Sequence, residues 1–161
     1  DGGMKSVTID WQPALARFEA RGGHAGQSVV INAPHDGAPT GFSASELLLA
    51  GAGACSAWDV VEVLHKQRQR VTAIRVKVEG DQASSPPWVY RHVRLHFTVS
   101  GHRLNADKVR RAVALSEHKY CAVIGTIRGV AEVSCVVDVR EAEPVDGVAV
   151  TLEAAVPDAT A

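Results

Sequence analysis

Two cysteines carry the residue chemistry worth pursuing in this 161-residue chain, Cys55 and Cys121. A thiol reacts as its thiolate, so each must be weighed both as a nucleophile and as packing. They stand 66 positions apart, so no local motif joins them and any partnership has to come from the fold. Taken singly, each reads as core, because free cysteine is among the most buried residue types. Burial also raises a thiol's pKa, the wrong direction for a nucleophile. The third, Cys135, alternates in phase with Val133, Val137 and Val139; on the apolar face of a strand it behaves as a small hydrophobe. The residues by themselves stop at a candidate dithiol.

Other chemistries find less support. His92 and His96 are four apart, but their surroundings alternate as a strand, which puts them about 13 Å from each other on its polar side at ~3.3 Å per residue. They cannot share an ion, and no Cys/His spacing here matches a zinc site. Gly51-Ala52-Gly53 lies inside a helical pattern, where glycine costs propensity and suggests that another backbone packs closely. No glycine-rich loop precedes a helix to hold a nucleotide. No metal and no cofactor are therefore expected. A net charge of −1 and a pI near 6.7 give no electrostatic reason to expect nucleic acid or a membrane surface as partner. Three cysteines are too few and too odd for a disulfide scaffold. They suit a reducing compartment, with the cytoplasm expected, and the N-terminus shows no apolar signal stretch. Asp1-Gly2-Gly3 ahead of Met4 reads as a cloning remnant, residues 4–155 as one domain, and residues 156–161 as a loose tail.

Cys55 would be positioned by residues 43–67, a stretch apolar on every face from Leu47 to Leu64. Ser43 and Glu46 stand at capping-box spacing and should start a helix there. A helix apolar all round is buried or lies in a membrane; Asp59 and Glu62 leave too short an apolar run to span a bilayer, so a buried central helix is expected. Its dipole cannot activate Cys55, about 18 Å from the start, since that effect fades within one turn. A cation from elsewhere is required, with a carboxylate to orient it. Asp59, at i+4, shares the face of Cys55 and would raise its pKa unless it clamps such a cation; capping or pairing with a neighbouring basic group is the plainer reading.

Around this helix, alternation predicts strands at residues 6–11, 14–20 and 28–32, followed by a loop at 33–41. Further strands are expected at 74–79 and 93–99, paired as a hairpin. Asn105 should cap a helix whose Val109, Ala112, Val113 and Ser116 share a face. A short helix at 120–128 would carry Cys121, and strands at 130–140 and 148–153 would follow. Hairpins dominate, so the class is α+β with largely antiparallel sheets around the central helix.

Two segments resemble a known family. Gly41 to Val61, G-F-S-A-S-E-L-L-L-A-G-A-G-A-C-S-A-W-D-V-V, is similar to the central-helix signature of the OsmC/Ohr organic hydroperoxide reductases. Ser116 to Ile127, S-E-H-K-Y-C-A-V-I-G-T-I, resembles that family's second cysteine motif. The resemblance implies an intertwined homodimer with sites built from both chains, and a thiol-dependent peroxidase acting on organic hydroperoxides. Cys55 would be the peroxidatic thiolate and Cys121 the resolving thiol, recycled by a dithiol or lipoyl-type reductant. The family's activating arginine falls to Arg17, with Arg21 as fallback. Its usual glutamate, ten residues before the cysteine, is Ser45 here, and the carboxylate stands at Glu46. That residue is read equally as a cap or as a group near the thiol. A stress-associated ligand-binding protein, or a slow redox sensor using the same cysteines, is the alternative.

Overall fold

The structure, a computed structural model, describes residues 3–23, 26–32 and 41–143. The expected loop at 33–41 falls outside them except for Gly41, as do the expected strand at 148–153 and the tail.

Two three-stranded sheets form. In the first, β1 (Val7–Gln12), β2 (Arg17–Gly22) and β3 (Ser28–Asn32) pair antiparallel. The strand expected from residue 14 begins three residues later. Pro13 opens a 3₁₀ turn, Pro13–Leu15, and Ala16 follows at φ +46°, because proline's fixed φ suits a first helical turn.

The second sheet holds the core. β4 (Arg70–Gln82) and β5 (Tyr90–His102) form the expected hairpin, longer than alternation alone suggested. Val93, Leu95, Phe97 and Val99 are essentially completely buried on its inner side, each stabilising the fold by about 1.5–3 kcal/mol. The outer side is wet, and there His92 meets Glu132 at 3.3 Å while His96 meets Asp138 at 2.8 Å. Each histidine thus has its own carboxylate.

The last described strand, β6 (Glu132–Glu141), runs parallel to β5, while the other described pairings are antiparallel, as the largely antiparallel expectation allows. Between them lie α2 (Ala106–Leu115), a π turn (Ser116–Tyr120) and α3 (Ala122–Ile127). This helical crossover returns the chain to the same end of the sheet, which is what parallel pairing requires. Asn105 caps α2 by accepting from the Lys108 amide at 3.0 Å, as its spacing predicts.

The central helix α1 (Ala44–Lys66) starts with the predicted capping box: the Glu46 amide donates to Ser43 Oγ at 3.1 Å, and the Ser43 amide to Glu46 Oε2 at 2.8 Å. It is not buried all round. Ala52, Gly53, Ser56, Val60 and Leu64 pack inward, whereas Leu48, Val61 and Trp58, the last 69 % exposed, lie on the opposite side. By length and composition alone α1 could cross a membrane, so Asp59 and Glu62 do not exclude that by themselves. Its inner face, however, is packed on β4 and the core. No backbone packs closely at the helical glycines, contrary to expectation: a Cβ on Gly53 would stand 2.8 Å from the Val78 side chain at Cγ2, and one on Gly51 would meet nothing.

Candidate active site

Cys55 lies midway along α1, half-buried, one turn before Asp59. Cys121 arrives from the crossover between β5 and β6. The π turn delivers it as the residue that caps α3, its Sγ accepting from the Ile124 amide at 3.4 Å. π turns inserted in helices often mark functional positions. One sulfur each from Cys55 and Cys121 and a carboxylate oxygen of Asp59 all lie within 4.8 Å of one another. The 66-residue gap in sequence is closed by the packing of α1 against the π turn and α3.

A buried hydroxyl pair supports this group. Ser56 and Ser116 are both fully buried, with their Oγ atoms 2.8 Å apart, and Ser116 Oγ donates to Asp59 Oδ2 at 3.0 Å. A carboxylate only accepts, so the Ser116 proton goes to Asp59 and the Ser56 hydroxyl donates to Ser116. Asp59 therefore rests on a hydroxyl relay and not on a basic group. Among the described residues no cation pairs with it, which corrects the expectation of a basic partner. The relay was missed in the sequence, although serines on otherwise apolar helical faces are its signal.

The thiols differ in environment. Burial pushes the Cys121 thiol up to about 11; the Ile124 amide acts in the opposite sense, while the neighbouring Cys55 adds to the rise. Cys121 is thus held as a neutral thiol. Burial, reinforced by the Glu117 carboxylate, raises Cys135 to about 12. Its side chain packs against the core from β6, as expected of an inert thiol.

The other predicted site residues are elsewhere. Glu46 is engaged in the capping box, about 13.5 Å along the helix from Cys55. Ser45 is fixed by its carbonyl, which accepts from the Tyr90 hydroxyl at 2.9 Å. Arg17 donates from Nε to Gln12 Oε1 at 2.7 Å, and Arg21 pairs with Glu19 at 3.0 Å and Asp10 at 3.8 Å. Among the described residues, none of these four is a partner of the thiols or of Asp59. Beside Asp59 opens a cleft of about 570 Å³, lined by Glu62, Val63, Lys66, Gln67, Leu115 and Tyr120.

An α+β fold that brings two distant cysteines together across a long central helix defines a dithiol protein. The family model described as OsmC-like protein matches residues 35–136. The chain belongs to the OsmC family. It is 41 % identical over 116 residues to Protein YhfA of Escherichia coli K12, covering 71 % of this chain and 83 % of that protein. An OsmC-like protein of Mycoplasma pneumoniae shares the fold at TM-score 0.75 and 14 % identity, over 87 % of this chain and 99 % of that one. So does an organic hydroperoxide resistance protein OsmC of Legionella pneumophila, at TM-score 0.63 and 15 % identity, over 86 % and 98 %.

Proposed function

We infer that the protein is a thiol-dependent peroxidase that reduces organic hydroperoxides. The observation that carries this reading is the approach of the Cys55 and Cys121 sulfurs to within 4.8 Å. The Cys55 thiolate attacks the terminal oxygen of the hydroperoxide. An S–O bond forms as the O–O bond breaks, and the alkoxide leaves and is protonated to the alcohol. Cys121 then attacks the sulfur of the Cys55 sulfenic acid, forming the disulfide and releasing water. An external dithiol such as a lipoyl group restores both thiols by exchange and is itself oxidised to a disulfide. A neutral, buried Cys121 is unsuited to the first step; in the second it must give up its proton, which leaves with the sulfenic hydroxyl as water.

Activation of Cys55 needs a cation, and Arg17 of a second copy is our candidate. The exposed apolar side chains Leu48, Trp58 and Val61 of α1, with Val7, Ile9 and Trp11 of β1, favour a homodimer that would bring the two chains together. A reducing compartment such as the cytoplasm would supply the dithiol.

The test is consumption of an alkyl hydroperoxide by the purified protein with dithiothreitol or dihydrolipoamide. Turnover should require Cys55, and equal rates for wild type and Cys55→Ser would reject the proposal. A second reading, a redox-sensing or ligand-binding protein with little turnover, is favoured by the locking of Glu46 into the capping box. It predicts one Cys55–Cys121 oxidation per chain without sustained consumption.

A further inference from the structure

We propose that Cys55, Asp59 and Cys121 form a chelating site for a thiophilic divalent cation of the zinc type, which holds the two thiols reduced while it is bound. The three ligand atoms already lie within 4.8 Å of one another. Zinc bonds of ~2.3 Å to sulfur and ~2.1 Å to oxygen in a tetrahedron place ligand atoms about 3.6–3.8 Å apart. Side-chain movements of about 1 Å would close the site.

The donor set and its surroundings fit such an ion. Two thiolates select soft or borderline metals over magnesium and calcium. Cys55 and Asp59, one helical turn apart, face the same side of α1, and Cys121 approaches from a different element, so the site has depth. The carboxylate is oriented through the buried Ser56–Ser116 hydroxyls, the kind of outer contact that metal-binding carboxylates have. No cation pairs with Asp59 among the described residues, and the cleft at Asp59 offers an entry path and room for a water as fourth ligand. Metal binding and the disulfide use the same sulfurs and exclude each other. Such a site depends on the geometry of the dithiol and not on peroxidase turnover, so a chain with no turnover would still bind the ion.

The experiment titrates reduced, metal-free, full-length protein with Co²⁺ under anaerobic conditions. One Co²⁺ per chain should bind, with sulfur-to-cobalt charge-transfer absorption and tetrahedral d–d bands, and Zn²⁺ should displace it. Cys55→Ser and Cys121→Ser should each diminish the charge transfer. Asp59→Asn, nearly isosteric and able to accept from Ser116, should weaken binding about tenfold or more. Cys135→Ser should change nothing. On the wild type itself, Zn²⁺ should slow alkylation of Cys55 and Cys121, but not of Cys135, by about tenfold. Absence of charge transfer, a band left undiminished by either cysteine substitution, or unchanged affinity in Asp59→Asn would overturn the site.

Discussion

The two sheets are built from the same kind of sequence and end in opposite conditions. β5 alternates apolar and polar residues and buries Val93, Leu95, Phe97 and Val99 completely. β1 alternates just as clearly, yet Val7 is 64 % exposed, Ile9 52 % and Trp11 48 %. The difference is the cover. The β4–β5–β6 sheet receives α1 and α2 on its inner side, whereas the apolar side of β1 carries no comparable layer among the described residues. Alternation identifies the face that needs covering; it does not say what will cover it.

The largest test of that contrast is a pair of truncations read by urea unfolding. Phe97→Ala should cost about 3–5 kcal/mol, the usual range for an aromatic ring removed from a closed core. Trp11→Ala, in a chain kept single by Trp58→Glu, should cost only about 1 kcal/mol, the worth of its pairing with Phe18, whose ring lies 4.7 Å away. Comparable losses in a chain kept single by Trp58→Glu would break the contrast; in the wild type they would report a covering copy.

A second copy is the cover we infer, and it can be examined directly. Wild type should sediment at twice the mass of the chain. Trp58→Glu, placing a charge in the exposed stripe of α1, should shift the protein toward the single-chain mass, because a buried unpaired charge costs several kcal/mol. A wild type that sediments as one chain would remove both the dimer and the supply of Arg17 from a partner.

The same contrast explains what was legible beforehand. The Ser43–Glu46 box, the Asn105 cap and the β4–β5 hairpin each depend on residues close in sequence, and each formed as read. The direction of β6 was not legible, since a strand's alternation is identical for parallel and antiparallel neighbours. Nor was the Ser116–Asp59 contact, which spans 57 residues. The family resemblance supplied the pairing of Cys55 with Cys121 that spacing could not. It also nominated Glu46 and Arg17, which within the single chain bond to Ser43 and Gln12.

A smaller effect separates the thiols of the well-covered region. Cys121 is raised from the usual 9 to about 11. Its alkylation, followed in a Cys55→Ser/Cys135→Ser protein, should stay slow through pH 9 and accelerate only toward pH 11. The sign for stability follows. Below pH 9 both folded and unfolded thiols are protonated, and nothing is lost. Between pH 9 and 11 the unfolded chain ionises first, so folding weakens as pH rises. Replacing Cys121 with Ala should flatten that decline; a decline unchanged by the substitution would assign it to other groups.

The smallest effect compares the wet faces of the two sheets. Glu19 in β2 and Glu79 in β4 are both held below the ordinary carboxylate value, but for different leading reasons. For Glu19 the largest cause is the hydrogen bond from the Ser28 hydroxyl, followed by that from Arg21. For Glu79 it is the Lys77 ammonium, at 2.8 Å, by hydrogen bond and by charge. Both carboxylates contribute stability above their unfolded pKa, and it is lost as pH falls through the lower folded one. Salt screens exposed charge pairs and leaves a neutral hydroxyl bond largely intact. Raising the ionic strength during an NMR titration should therefore move Glu79 back toward 4.5 further than Glu19. Ser28→Ala should release Glu19 with little dependence on salt, and Lys77→Met should release Glu79 and remove most of its salt response. Equal salt shifts in wild type would mean that Arg21, and not Ser28, sets the ionisation of the first sheet.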